Sequence, residues 1–344
     1  LVACATAGCG ASAAAPTPPV APDPGAPAIT CPAAVTELSS DGNPVVVTYG
    51  TPTVTSGFAP LTGPACTPAS GTSFPVGTTT VSCTVSDAKL RTAACTFTAT
   101  VTPPPKLIGT QFVAFGDSIT WGEDGTVNAL QTDRAFSFLR PAVQLPTSET
   151  YPGALQIDLR ERYTSQMPTV WNQGLPGEAL TGGTAFPRFQ SVLSTPPAPY
   201  NVLLLMEGAN DLAAEDTTVE NNALTILKQM IDLAKSSGLQ VMLATLPPEN
   251  PNGCCPDRAA GSALVPGYND RLTSLAAAEN ITLVDIYAAF NGDLTLIGFD
   301  GLHPTPAGYQ LIADTFFRSV RNTLEVAVPA RTTTAVLSRR TVRR

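Results

Sequence analysis

The chain holds a single histidine, His303, among 344 residues, with only two tryptophans and four methionines. One imidazole excludes any site that needs two, so a His-Glu-x-x-His metalloprotease is ruled out at once. Charge is also scarce. Only 13% of residues are Asp, Glu, Lys or Arg, and 19 cationic against 27 anionic side chains leave a formal net charge of −8. Nucleic-acid binders present a basic face, so nucleic acid is not an expected partner. No continuous apolar run is long enough for a membrane-spanning helix. Two glycine signatures are missing too. Without Gly-x-Ser-x-Gly the elbow of the α/β-hydrolases is absent, and without Gly-x-Gly-x-x-Gly after a strand a dinucleotide-dependent oxidoreductase is disfavoured. No metal or organic cofactor is implied.

Proline and alanine, by contrast, are abundant at the start. Residues 1–30 are mostly Ala, Pro, Thr and Gly ("ASAAAPTPPVAPDPGAPA"), which lack the side chains for a core and favour extended conformations, so this stretch reads as a linker. The opening "LVACATAGCG" lacks an initiator Met and the segments that precede a secretory cleavage site. Leu1-Val2-Ala3-Cys4 resembles a bacterial lipobox, which implies lipidation of Cys4 and anchoring to a membrane, with a chance match of four residues as the alternative. At the other end, residues 325–344 read as a basic, disordered tail; five arginines fall within residues 331–344, and contact with an anionic surface is the alternative reading.

Eight cysteines stand at positions 4, 9, 31, 66, 83, 95, 254 and 255. Cys31, Cys66, Cys83 and Cys95 share one strand-rich window, the pattern of a disulfide framework in an exported module. Their separations of 35, 17 and 12 residues lack the tight pairs of structural zinc sites. Cys254 and Cys255 are adjacent, and a vicinal disulfide, pairing elsewhere and free thiols all stay open.

Residues 31–102 contain "PVVVTYG", "TTTVSCTVSD" and "ACTFTATV", near-alternating runs of Val, Thr and aromatics punctuated by turn residues, as in an antiparallel sandwich. The opening "ITCPA" and the stretch "CTPASGTSFPVGTTTVSCTVSDAKLRTAACTFTATV" resemble the HYR (hyalin repeat) module, an immunoglobulin-like extracellular domain. Four cysteines allow three connectivities. Analogy with related modules implies Cys31–Cys83 and Cys66–Cys95.

From residue 107 to 324 the pattern changes. "TQFVAFGDS", "PTVWNQG", "YNVLLLMEGAND", "LQVMLATLPP" and "ITLVDIYAAF" are apolar runs, most of them ending in polar residues, with helical stretches between them. In "NNALTILKQMIDLAKSSG", Leu224, Leu227, Ile231 and Ala234 recur at helical spacing and Gly238 is a stop. Apolar strands separated by amphipathic helices predict a parallel sheet covered on both faces, with ligands at the carboxyl ends of its strands.

Three of those ends carry chemistry. Ser118 follows the first strand in "VAFGDSITWG"; a serine there is either a helix cap or a nucleophile, and a nucleophile needs a base to take its proton. His303 is the sole imidazole available. In "FDGLHPTPAG", Asp300 is close enough on one loop to bind Nδ1–H, fix the tautomer and leave Nε2 for the serine. Thr305 and Pro306 then supply an N-cap and a first-turn proline for the next helix.

With "GDSIT", "NQGLPGE", "GAND" and "DGLHP" in this order, the segment resembles the GDSL or SGNH hydrolases, serine esterases with a flavodoxin-like three-layer α/β fold. The resemblance implies Ser118 as nucleophile, Asp300 and His303 as its partners, and an oxyanion hole from the Ser118 and Gly177 N–H groups and the Asn210 amide, with Gly174 as the fallback for Gly177. Asn210 also has a plainer reading as a helix cap. Asp117 and Asp211 are expected to tie loops together. The departure from the short family pattern is residues 123–150, where Phe136, Phe138 and Leu139 either wall an acyl pocket or pack on the core; Trp121 is a further rim candidate.

The expected function is an exported serine esterase acting on short-acyl carboxylic esters, small or part of a surface polymer. Polysaccharide O-deacetylation and lysophospholipid hydrolysis are alternatives within the family, and a non-catalytic adhesion protein is the alternative outside it. Oligomeric state is not legible.

Overall fold

The structure is a computed structural model that describes residues 23–126, 142–197, 199–254 and 260–326. The chain divides into two compact units, parted between Thr102 and Pro103.

The first unit contains β1 (Ala28–Thr30), β2 (Val35–Leu38), β3 (Val45–Val47), β4 (Thr53–Ser56), β5 (Thr62–Thr67), β6 (Thr72–Phe74), β7 (Gly77–Ser86) and β8 (Thr92–Thr102). Its main sheet has the order β2-β8-β7-β5, beside the pairs β1-β4 and β3-β6. Every second residue of the long hairpin faces inward: Val81, Cys83 and Val85 on β7, and Phe97, Ala99 and Val101 on β8, are buried, and most of them pack with Val47 and Phe74 into one core. This is the immunoglobulin-like β module expected, but it begins earlier. β1 lies within the stretch read as linker and pairs with β4, and Asp23 bonds Lys89 and Arg91.

The cysteine pairing differs from expectation as well. The disulfides are Cys31–Cys95 and Cys66–Cys83, not Cys31–Cys83 and Cys66–Cys95. Cys66 sits directly opposite Cys83 in the β5·β7 register, which leaves Cys95 for Cys31. The Cys31, Cys83 and Cys95 sulfurs fall within 4.8 Å of one another only because the two bridges lie side by side, and no thiolate remains there for a cation. Cys254 is disulfide-bonded. Cys4, Cys9 and Cys255 lie outside the described residues.

The second unit contains β9 (Lys106–Leu107), β10 (Gln111–Gly116), α1 (Ser118–Trp121), α2 (Tyr151–Arg162), β11 (Thr169–Gly174), α3 (Ala185–Ser194), β12 (Val202–Met206), α4 (Ala209–Leu212), α5 (Thr217–Ser236), β13 (Gln240–Ala244), α6 (Val265–Glu279), β14 (Thr282–Val284), α7 (Ile286–Phe290), α8 (Pro306–Leu324) and β15 (Glu325–Val326). Five strands form one parallel sheet in the order β11-β10-β12-β13-β14. The order reverses at β10, the switch point where doubly wound sheets open a crevice at their carboxyl edge. All five residues of β12 are buried, as a central strand covered on both faces requires.

The helices follow their sequence signals. α5 buries Leu227, Ile231 and Ala234, and Gly238 follows it at φ +81°. Thr305 caps α8 by accepting from the Gly308 N–H, with Pro306 in the first turn. Beyond α8, the first two residues of the expected tail, Glu325 and Val326, form β15. β15 pairs antiparallel with β9, and the Glu325 carboxylate takes two bonds from Arg162, at 2.7 and 2.8 Å, and one from the Tyr163 hydroxyl. The remainder of the tail, residues 327–344, lies outside the described residues. Among the described residues no helix is long and apolar enough to cross a membrane.

Candidate active site

β10 ends at Gly116, and the chain turns at once into α1. Asp117 caps that helix, its Oδ1 accepting from the Ile119 N–H at 2.8 Å. The cap reading of Ser118 therefore falls to its neighbour, and Ser118 becomes the first residue of the helix, buried with its hydroxyl engaged. Its Oγ lies 2.8 Å from His303 Nε2, across 185 residues of sequence. His303 Nδ1 lies 2.6 Å from Asp300 Oδ2.

Asp300 is held in turn. Its Oδ1 accepts from the backbone N–H groups of Leu302 and His303, both at 3.0 Å. Burial alone raises a carboxyl pKa, but here the His303 bond and charge and the two N–H donors outweigh it, and Asp300 sits below its ordinary value. An ionised Asp300 selects the tautomer with hydrogen on Nδ1, so the Nε2 lone pair faces the Ser118 hydroxyl. The loop itself is pinned by the Gly298 N–H to the His303 carbonyl at 2.7 Å and the Asn250 N–H to the Gly301 carbonyl at 2.7 Å. A cleft of about 520 Å³ runs along this loop, lined in part by Asn250, Asp293, Thr295 and an exposed Phe299.

The other candidates divide. Gly177 is exposed at φ +74°, with nothing within 4 Å of where a Cβ would stand. Gly174, the fallback, has a packing role instead: a Cβ there would lie 2.0 Å from the Trp121 nitrogen, so it lets the end of β11 approach α1. Asn210 lies within α4, whose N-cap is Gly208, and its Nδ2 donates to the carbonyl of Glu178, the residue after Gly177, at 2.8 Å. Asp211 takes the N–H groups of Leu180 and Thr181 and the Thr181 hydroxyl, at 2.7 to 2.9 Å, and so ties the same loop to α4. Trp121 closes α1, half-buried, and its carbonyl accepts from Gln144 and Asn172. Phe136, Phe138 and Leu139 lie outside the described residues.

Several acidic residues here escaped the sequence reading. Glu123 is buried, and its Oε2 stands 3.5 Å from His303 Nε2. Glu178 pairs with Arg188, whose guanidinium also donates to the Gln173 and Gly116 carbonyls and covers the Phe115 ring at 3.9 Å, clasping the ends of β10 and β11. Glu207, directly after β12, is buried, and neither of its oxygens meets a donor among the described residues. Burial, reinforced by the charges of Asp117 and Glu178, raises its pKa well above the ordinary value. Burial likewise raises Asp117 to about 6 and, with the Asp117 charge, Glu249 to about 8. Their signal in sequence was faint: an acid at the end of an apolar strand reads as the start of a loop.

Glu123, Asp300 and His303 each offer a ligand atom within 4.8 Å of the others. A cation there would have to draw His303 away from Ser118 or Asp300. The geometry suits proton transfer, from Oγ to Nε2 with Nδ1 held, rather than coordination.

Residues 114–311 match the GDSL-like lipase/acylhydrolase family, and residues 22–101 match the HYR domain. No curated protein matches the chain. Solved structures similar to it include a member of the lipolytic G-D-S-L family from Veillonella parvula, at 20% identity and TM-score 0.44 over 60% of this chain and 96% of that one. A lipase/acylhydrolase from Enterococcus faecalis aligns at 21% identity and TM-score 0.48, over 64% and 98%. An acetylxylan esterase from Geobacillus stearothermophilus aligns at 20% identity and TM-score 0.45, over 62% and 96%. The matched family segment takes in Ser118, Gly177, Asn210, Asp300 and His303, and the chain belongs to the GDSL-like lipase/acylhydrolase family, with an HYR domain preceding its hydrolase fold.

Proposed function

We propose that the protein is an exported serine esterase that hydrolyses short-acyl carboxylic esters through Ser118, His303 and Asp300. The observation that carries this reading is the continuous chain Ser118 Oγ–His303 Nε2 at 2.8 Å and His303 Nδ1–Asp300 Oδ2 at 2.6 Å, with all three residues buried. Ser118 Oγ attacks the ester carbonyl as Nε2 takes its proton, and the imidazolium then protonates the departing alkoxide. Water attacks the resulting acyl-enzyme in a second cycle, its proton passing through Nε2 to Oγ, and the carboxylic acid leaves. Asp300 holds the imidazole and stays ionised throughout. The Ser118 and Gly177 N–H groups and the Asn210 amide are assigned to the oxyanion. The Asn210–Glu178 bond supports this assignment, because it brings that amide to the Gly177 loop.

Export is supported by the two disulfides and the HYR domain. Anchoring through an acylated Cys4 is part of the proposal, and mass spectrometry of the cell-derived protein tests it. The partner is an ester, either a small molecule or a group on a surface polymer.

The test is initial rates on p-nitrophenyl esters from acetate to palmitate, with Ser118→Ala as blank. A maximum at acetate to butyrate is expected. A maximum at the long chains replaces the short-acyl reading with a lipid substrate, and turnover by Ser118→Ala equal to the parent's removes the esterase assignment.

A further inference from the structure

Hydrolysis of an acyl-enzyme needs a feature that its formation does not. The incoming water must give one proton to His303 Nε2 while its lone pair points at the acyl carbon, and its second hydrogen needs an acceptor that fixes this orientation. Ser118 Oγ cannot serve, since it has become an ester oxygen. Among the described residues, a side chain that stands near Nε2 besides Ser118 is Glu123, with Oε2 at 3.5 Å. That separation lets one water molecule touch both groups at hydrogen-bond distance.

Glu123 is placed there by its backbone. Its N–H bonds the Ser118 carbonyl at 3.0 Å, so it closes the turn that the nucleophile opens. Its own carbonyl accepts from the Tyr309 hydroxyl at 2.8 Å, and Tyr309 belongs to α8, the helix that begins just after His303. A bridge to Gln144 holds its outer side. Glu123 is thus tied to both reacting partners, and its side chain is only 9% exposed.

We propose that Glu123 is a further catalytic residue, which orients the hydrolytic water of the deacylation step. In that step the water oxygen bonds to the acyl carbon, the C–Oγ bond breaks, and one proton travels from water through Nε2 to Ser118 Oγ. The other stays on the released acid, and Glu123 accepts a hydrogen bond from it without being protonated. The inference rests on the serine-esterase reading above.

The experiment is stopped-flow release of p-nitrophenol from p-nitrophenyl acetate by the full-length protein, Glu123→Gln and Glu123→Leu, with Ser118→Ala as control. A burst followed by a steady phase gives the acylation and deacylation rates separately. Loss of the acceptor is expected to slow deacylation by about tenfold to a hundredfold in Glu123→Leu, and by less in Glu123→Gln, which keeps an amide oxygen. Acylation should stay within about twofold, so kcat and KM fall together and kcat/KM holds.

A second readout is one that a merely structural role leaves unmoved. Methanol attacking the acyl-enzyme has a methyl group where water has its second hydrogen, so it has no use for Glu123. At fixed methanol, the ratio of methyl acetate to acetate is therefore expected to rise in both variants. An unchanged ratio, or equal slowing of acylation and deacylation, overturns the proposal. If Glu123→Leu does not fold, the isosteric Glu123→Gln decides by the same ratio. A burst that persists in Ser118→Ala refutes the parent reading instead, and a wild-type burst with unaltered Glu123 variants refutes only this one.

Discussion

Asp300 illustrates how much one residue carries. It takes two backbone N–H groups on Oδ1 and the imidazole on Oδ2, so replacing one oxygen by NH2 in Asp300→Asn can keep the loop while placing a donor against Nδ1. The wrong tautomer then faces Ser118, and a fall in kcat of about a thousandfold or more is expected, with the fold intact by circular dichroism. Retention of a tenth of the parent activity would contradict the assigned role. Glu249 gives a prediction for stability rather than rate. Its pKa is raised from 4.5 to about 8, so between these values the folded protein holds a proton that the unfolded chain releases. The contribution of this one group to stability is therefore fully present below pH 4.5 and is lost as pH rises through 8, by on the order of a few kcal/mol. Glu249→Gln is expected to raise Tm above pH 8 and to change it little near pH 4.5. An equal shift at both ends of the range would show that the carboxyl ionises freely. None of this was visible in "LATLPPEN", where the acid follows two prolines and reads as loop. Glu123 was hidden for a different reason: a side chain in a turn obeys no period, so nothing in "TWGEDG" distinguishes it from Asp124.

Elements were more legible where periodicity had room to act. The alternation of apolar strands and helices indicated the parallel sheet, and the capping signals of α8 were plain in "HPTPAG". His303 and Asp300 could be paired because they share one short loop, which removes long-range uncertainty from that contact. The cysteines had no such help. Their partners depend on which residues stand opposite one another in β5, β7 and β8, and strand register is not encoded in the order of cysteines along the chain. β1 was lost in a segment whose Ala and Pro content resembles a spacer. The corrected pairing makes a thermodynamic prediction. Cys31–Cys95 closes a loop of 64 residues and Cys66–Cys83 one of 17, so removing the first pair should destabilise the HYR domain by about 1 kcal/mol more than removing the second. Calorimetry of the two double-alanine variants checks this, and the opposite order would mean that native-state packing outweighs loop entropy.

At the scale of the molecule, the parallel sheet and the preceding β module could both be read from sequence, because each has its own hydrophobic period over many residues. The sheet order β11-β10-β12-β13-β14 puts Ser118, the proposed nucleophile, at the switch point, at the end of its second strand in space but its first in the doubly wound series. Chain order therefore has a temporal meaning. Ser118 precedes His303 by 185 residues, and at ordinary rates of protein synthesis the histidine is added roughly ten to forty seconds after the serine. Until residue 303 has been added, the chain holds no imidazole for Ser118. On the proposed esterase reading, the site is therefore completed only once the histidine loop has been made and has joined the sheet that carries Ser118.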